Sequence, residues 1–335
     1  MTTGSKTPTP AALTPADYTW RPLRQADLPA LHTLVLAIAA ADQLERVETL
    51  ADLETGFVDP WSDPAADARV VLAPDGSLAG HVRCYAHPEP EHEAVAWLRF
   101  DIHPAHRGHG LEDALLDWVE ARATERLSAA PPGLARSLRS SAPDYVTHEL
   151  ELFERRGFQP IRYFYRMRRD LREPLPSAVL PAGFTLRRYG PDLDQALFQA
   201  HNEAFADHWG YEAETPADWR DLIIGHPGFR PDLTLVALDG DQVAAYTLNR
   251  VMTDGLSADS RPFGYLDKVG TRRPWRKRGL AAALMCEALR LFRAEGLDEA
   301  FLGVDAQNPT GALGIYERLG FTSVRRFIAV AKPVR

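Results

Sequence analysis

The elements of this chain are most legible in the spacing of apolar residues along its second half. Phe184 to Tyr189 alternates as a strand does, and Asp192 to Ala206 carries apolar residues at helical spacing. Leu233 to Leu238 and Gln242 to Val251 are apolar runs on either side of Asp239-Gly240, a strong hairpin signal. Tyr265, Asp267, Val269 and Thr271 fall on one face of a further predicted strand. Leu280, Leu284, Ala288 and Leu291 predict a helix that stops at Gly296. Phe301 to Val304 then predicts a buried strand, Pro309 to Leu319 a helix and Val324 to Val330 a last strand. The first half follows the same scheme, with Asp75-Gly76 as its hairpin turn. Strands interleaved with helices on one mixed sheet define an α/β (α+β) fold class.

Specific residues turn that scheme into a repeat. Leu152-Phe153-Glu154-Arg155-Arg156-Gly157-Phe158 returns as Ile315-Tyr316-Glu317-Arg318-Leu319-Gly320-Phe321 at an offset of 163 residues. Arg107-Gly108-His109-Gly110-Leu111 returns as Arg276-Lys277-Arg278-Gly279-Leu280 at an offset of 169. Arg21 to Arg24, with Leu28 and Leu31, echoes Thr185 to Arg188, with Leu193 and Leu197. The 335 residues therefore read as two copies of one fold, in keeping with about 150 residues per domain. Residues 1–17, rich in Thr, Pro and Ala, predict a flexible leader. Residues 18–170 form the first copy, 171–181 a linker marked by Pro174, Pro176 and Pro181, and 182–335 the second copy.

Composition changes the picture mainly by exclusion. With 25% charged and 45% hydrophobic residues, the chain is neither collagen-like, wholly disordered nor a coiled coil. No apolar run approaches the ~20 residues of a membrane span, so no membrane partner is expected. Cys84 and Cys286 cannot build a disulfide framework and lack CxxC partners, which points to a reducing cytoplasm. A formal charge of −8 argues against nucleic acid as a partner. His103, His106 and His109 have no acidic or Cys partners at ligand spacing, so no metal is expected. The oligomeric state is not legible.

Against the acidic whole, five of the seven residues from Arg272 to Arg278 are cationic, between a predicted strand and a long helix. The free N–H groups and macrodipole of a helix N-terminus favour an anion, and Gly279 and Ala281 leave room for it to reach the backbone. The GxxxxGK[ST] spacing of an ATP-type loop is absent, and a solvated basic helix start would read the same way. Arg276-x-x-Gly279-x-Ala281 resembles the Q/R-x-x-G-x-G/A signature of the GNAT N-acetyltransferases, whose loop cradles the pyrophosphate of coenzyme A. Asn308, Ala312, Ile315, Tyr316, Glu317, Gly320 and Phe321 resemble the family's second signature, at the right distance downstream. The resemblance covers 182–335 and, more weakly, 18–170.

The resemblance implies two tandem acyl-CoA N-acyltransferase domains, each with a splayed central sheet, and acetyl-CoA as co-substrate. It assigns the co-substrate to Arg276, Lys277, Arg278, Gly279, Leu280, Ala281 and Asn308, and to the backbone of Val269, Gly270 and Thr271. It also implies Tyr316 as the general acid that protonates the departing sulfur; a tyrosine packed on the sheet is the alternative. Asp267 is the candidate base or else a strand carboxylate paired to a cation. Asn308 contacts the pantetheine, caps the following helix, or does both. Asn202 to Glu212, with acids, His208 and Trp209, suits an amine acceptor or closes the core with its aromatics. The expected activity is acetyl transfer to a primary amine, of a small molecule, by direct attack. A protein N-acetyltransferase and a non-catalytic acyl-CoA sensor or interaction protein are the competing readings. The first copy has Glu112, Tyr145 and Phe153 in the places of Ala281, Asn308 and Tyr316, which predicts a degenerate site there.

Overall fold

The computed structural model describes residues 15–253, 255, 260–308 and 311–334. Of the predicted leader, 1–14 lies outside the described residues. The first half runs β1 (Thr19–Pro22), α1 (Leu28–Asp42), α2 (Leu50–Phe57), α3 (Pro64–Asp67), β2 (Ala68–Leu72), β3 (Leu78–Ala86), β4 (Glu93–Ile102), α4 (Leu111–Ser128), β5 (Ala135–Pro143), α5 (Thr147–Arg155) and β6 (Gln159–Asp170). The second runs β7 (Phe184–Arg188), α6 (Asp194–Phe205), α7 (Pro216–Asp218), β8 (Leu235–Asp239), β9 (Gln242–Met252), β10 (Phe263–Thr271), α8 (Leu280–Ala294), β11 (Glu299–Asp305), α9 (Ala312–Arg318) and β12 (Thr322–Pro333). Residues 171–181 between them form neither helix nor strand. Gly76 and Gly240 take φ of 83° and 58° in the two hairpin turns, the left-handed backbone that such tight turns need. The helix predicted from Pro309 begins at Ala312, and Pro309 itself lies outside the described residues.

The sheet order reveals what periodicity could not. All twelve strands form one sheet, β1-β2-β3-β4-β5-β12-β6-β11-β10-β9-β8-β7. The last strand of each copy has crossed into the other half: β12 lies against β5, and β6 lies against β11. At the centre β6 and β12 pair antiparallel, with Phe164 opposite Phe327. Those two residues are separated by 163 positions, the repeat offset, so the approximate twofold axis of the molecule passes between them. The exchange also interleaves the cores. Val330 of β12 packs with Leu115, Val119 and Phe153 of the first half, and Met167 of β6 packs with Leu284, Leu289 and Phe321 of the second. Each half thus buries apolar surface that only the other half's last strand can cover.

Helices α4 and α8 cover one face of the sheet, on the two largest cores. Helices α1 and α6 cover the other face, on smaller cores. The predicted common face of Tyr265, Asp267, Val269 and Thr271 does not form, because β10 carries a β-bulge. Leu266 pairs with Asn249 and Lys268 with Leu248, which leaves Asp267 as the extra residue. Beyond the bulge the alternation is out of step: Leu266 and Val269 both pack into the core beneath α8, while the Lys268 ammonium lies over the Phe205 ring of α6.

Candidate active site

Strand β10 runs parallel to β11 only at Gly264–Ala300 and Tyr265–Phe301. Past that point the two diverge, and among the described residues the edge of β10 through Val269, Gly270 and Thr271 has no strand partner on that side. A wedge of this kind offers backbone N–H and C=O groups to an amide-bearing chain. Gly270 is required there: an added Cβ would lie 2.3 Å from Cζ of Tyr246, which packs flush beneath it. Tyr246 is held in turn by a 2.7 Å hydrogen bond to Nδ1 of His201. Burial pushes the His201 imidazole down to about 3, so the ring is neutral.

The wedge opens onto the basic loop. Lys277 and Gly279 take φ of 62° and 84°, and Gly279 is the N-cap of α8 without a side-chain capping bond. Left-handed residues at alternating positions turn successive backbone N–H groups to one side, and the first turn of α8, with Leu280 and Ala281, adds its own free donors. Most of the cationic side chains serve the loop itself. Arg276 reaches the Thr271 carbonyl at 3.1 Å, Asp207 at 2.8 Å and the Ala204 carbonyl at 3.1 Å. Arg273 pairs with Asp207, and Arg272 with Glu203 at 2.7 Å. Among the described residues Lys277 and Arg278 are the cations of this loop without a carboxylate partner.

Beside β10, from Tyr265 to Val269, lies a cavity of about 1010 Å³. Tyr316, on α9, and Asn308 line one end, and burial pushes the Tyr316 phenol up to about 12, which keeps its proton on. Asn308 does not cap α9, whose N-cap is Gly311. Asp267 also lines the cavity, with the Arg250 guanidinium 2.8 Å from its Oδ2. Asp305 accepts from Arg162 at 2.6 Å and from the Gln307 N–H at 2.9 Å, closing the turn after β11. The opposite wall is contributed by the first half, through residues of the α1–α2 connection and α2 such as Arg46, Glu48 and Asp52, and through Tyr145. His226 of the second half joins the two across the cavity, its Nε2 lying 3.4 Å from Asp52.

The segment from Asn202 to Glu212 divides between the first half and the cavity. Asp207 is committed to the arginines of the loop. Glu212 accepts from the backbone N–H groups of Glu91 and His92, at 3.1 and 3.4 Å. Trp209 sits between the guanidinium groups of Arg139 and Arg162, at 4.6 and 5.2 Å from its ring centre. These contacts fasten the segment onto the first half, while Phe205 and His208 remain on the cavity wall. Glu214 lies just beyond this segment. Burial raises its carboxyl to about 7, with further contributions from Asp218, Asp267 and Asp59 against the opposing pull of Lys268.

In the first half the same loop is filled from within. Oε1 of Glu112 accepts the Gly108 N–H at 2.6 Å, taking the backbone donor that an external anion would use. Phe153 replaces Tyr316 and is buried edge-on against Phe100 and Phe158. His103 and His106 make local contacts, the former accepting the Ala105 N–H and the latter 3.1 Å from the Tyr18 hydroxyl. Among the described residues Asp42, His148 and Glu149 bring potential metal ligands within 4.8 Å of one another, a grouping too dispersed in the chain to read from spacing. Both Asp42 oxygens are engaged at 2.6 Å by Arg107.

A mixed sheet splayed beside a left-handed loop that opens a helix defines an acyl-CoA N-acyltransferase fold. The profile of the acetyltransferase (GNAT) family matches residues 35–158 and 195–321, and the chain belongs to that family as a tandem, two-domain acetyltransferase. The family's co-substrates are acyl-CoA thioesters. The chain is 31% identical over 299 residues to a mycothiol acetyltransferase of Thermobispora bispora, covering 88% of this chain and 94% of the relative. It is 32% identical over 297 residues to the mycothiol acetyltransferase of Stackebrandtia nassauensis, covering 86% and 90%. Among solved structures it superposes on a GCN5-related N-acetyltransferase from Sphaerobacter thermophilus with a TM-score of 0.75, at 28% identity, covering 96% of this chain and 98% of the other. It shares its fold with a tandem GNAT protein from the clavulanic acid biosynthesis pathway, TM-score 0.69 at 18% identity, with coverage of 94% and 98%. Among the described residues no helix is long and apolar enough to cross a membrane.

Proposed function

We propose that the chain transfers an acetyl group from acetyl-CoA to a primary amine of a small molecule, at one site in the second half. The observation that carries this reading is the continuity of three features: the anion-binding loop, the unpaired edge of β10, and a cavity that ends at Tyr316. The residues fit the co-substrate. Backbone donors from Lys277 to Ala281, with the Lys277 and Arg278 side chains, would hold the pyrophosphate, Arg276 would brace the loop, and the edge at Val269, Gly270 and Thr271, with Asn308, would pair the pantetheine. Bound there, the thioester supplies an activated acyl carbon and a thiol leaving group. The raised pKa of Tyr316 suits it to deliver a proton to sulfur, because a phenol that keeps its proton is a donor throughout the neutral range. Two features support a small acceptor. The first half covers the cavity opposite Tyr316, leaving less room for a protein surface, and the similar mycothiol acetyltransferases are named for a small-molecule acceptor.

The test is thiol release from acetyl-CoA across a panel of small amines and lysine-containing peptides, with the products weighed by mass spectrometry. Acetylated small amines are the expected outcome. Peptide acetylation alone would favour the protein-directed reading, and tight acetyl-CoA binding with no acetylated product would favour a sensor.

A further inference from the structure

We propose that the acceptor is an α-amino acid, whose carboxylate is bound by Lys268 and whose ammonium group faces Asp267. The inference rests on the acetyl-transfer reading above and names the substrate class of that site. It begins with the bulge of β10. In an even strand two successive side chains point to opposite faces, so Asp267 and Lys268 would part. The register shift between Leu266 and Lys268 lets both line the cavity, while Leu266 before them and Val269 after them pack into the core beneath α8. A carboxylate and an ammonium group are thus presented by consecutive residues to one cavity.

The cations on the cavity wall differ in what they already hold. Arg250 lies 2.8 Å from Asp267, Arg46 lies 3.3 Å from Asp52 and Arg325 lies 2.6 Å from Glu45. Arg166 covers the Phe301 ring, 4.4 Å from its centre. Among the described residues Lys268 has neither a hydrogen bond nor a carboxylate within ion-pair distance, and its ammonium group stands 6.0 Å from the centre of the Phe205 ring. The Glu214 carboxyl feels its charge without pairing to it, and burial pushes that carboxyl up to about 7. Asp267 is 12% exposed and, among the described residues, accepts no aligned hydrogen bond even from Arg250. Arg250 offsets the charge of Asp267, so the charge left uncompensated on this wall is that of Lys268, and it calls for an anion. Asp267 still has room for a donor, which an ammonium supplies.

The position along β10 fixes how near the two charges of the acceptor must be. The basic loop follows Thr271, and the free edge runs back from Thr271 through Gly270 to Val269, so the residue next in line is Lys268 and the one after it Asp267. A chain held by the loop and that edge would bring its reactive end to the bulge, on the cavity that Tyr316 also lines. An anion bound by Lys268 is then close to the attacking nitrogen. In an α-amino acid the carboxylate and the nitrogen share one carbon, which matches a lysine and an aspartate in consecutive positions; an amine with no carboxylate would leave Lys268 unpaired in the occupied cavity.

The experiment follows thiol release for matched sets of acceptors, each an α-amino acid, its carboxamide and the amine lacking the carboxyl group, with the wild type, Lys268→Met and Lys268→Arg. Rates are referred to the unprotonated fraction of each amine, and calorimetric titration of the acid and the amide reads binding apart from turnover. In the set turned over fastest, the wild type should prefer the acid by at least ~10-fold in kcat/KM and bind it more tightly, the scale of one charge-assisted bond. Lys268→Met should shrink that preference to within about 2-fold, chiefly through KM for the acid, and Lys268→Arg should keep part of it. A wild type that favours the amide or the bare amine overturns the proposal. So does a Lys268→Met enzyme in which acid and amide fall equally, which would assign Lys268 to the acyl group common to both reactions. If amines are acetylated without regard to a carboxylate, this inference fails and the acetyl-transfer reading stands; if no amine is acetylated, both fail.

Discussion

The two halves of this molecule share a scaffold and differ in what the scaffold exposes. Both loops use an arginine bound to the end of the preceding helix region: Arg107 to Asp42 in the first half, Arg276 to Asp207 in the second. Both place a left-handed glycine at the helix N-cap, Gly110 and Gly279. The central strands part at equivalent points in the two halves, but what lies beyond differs. In the first half β4 and β5 stay paired from Glu93–Ala135 to Trp97–Arg139, and the Ser140 hydroxyl then stitches across to the Leu98 carbonyl at 2.9 Å. In the second the parallel pairing ends at Tyr265–Phe301. The Glu112 carboxylate on Gly108, the buried Phe153 and the Ser140 stitch are the fillers that set the first half apart. What the two share holds the fold; what distinguishes them is access and the phenol of Tyr316. The first half is also reused, since Tyr145, the counterpart of Asn308, lines the cavity of the second.

The sharpest way to break this comparison is to give the second half the first half's residue at the tyrosine. Tyr316→Phe preserves the ring and removes the proton. It should lower kcat by about 10²–10⁴-fold, the usual range for losing a positioned general acid, with acetyl-CoA affinity nearly unchanged. Turnover within a few fold of wild type would remove Tyr316 as the donor. A smaller effect is expected from Ala281→Glu, which copies Glu112 into the working loop. If the carboxylate folds back onto the Lys277 N–H as Glu112 does onto Gly108, acetyl-CoA should bind at least ~10-fold more weakly by calorimetry, a loss of ~1.4 kcal/mol. Unchanged affinity would show that the two loops are not equivalent.

How much of this was legible in the sequence follows the range of the interactions. The loop, Tyr316 on the cavity and the fillers at Glu112 and Phe153 are local substitutions within a repeat, and comparing the copies exposes them. The strand exchange was not legible, because alternation along β6 and β12 says which face is buried and nothing about which neighbour a strand chooses. The bulge at Asp267 escaped for a related reason: one extra residue shifts every later side chain to the other face, and nothing in Leu266-Asp267-Lys268 announces it. The five cations of the loop were visible, but their division between structure and ligand depends on Glu203 and Asp207, which only the fold brings near.

The mildest change asks which filler closes the first half. Glu112→Ala removes the internal carboxylate and frees the Gly108 N–H, so the loop regains the character of its counterpart. If the carboxylate alone closed the site, calorimetry would show a second acetyl-CoA bound per chain. The Ser140 stitch to Leu98, just past the last β4–β5 pair, and the buried Phe153 predict otherwise. A pantetheine arm would have to enter past that point, and freeing the Leu98 carbonyl would break a hydrogen bond worth about 0.5–1.5 kcal/mol. The expected stoichiometry for Glu112→Ala is therefore still one. A second bound equivalent would place the closure in the loop rather than in the sheet.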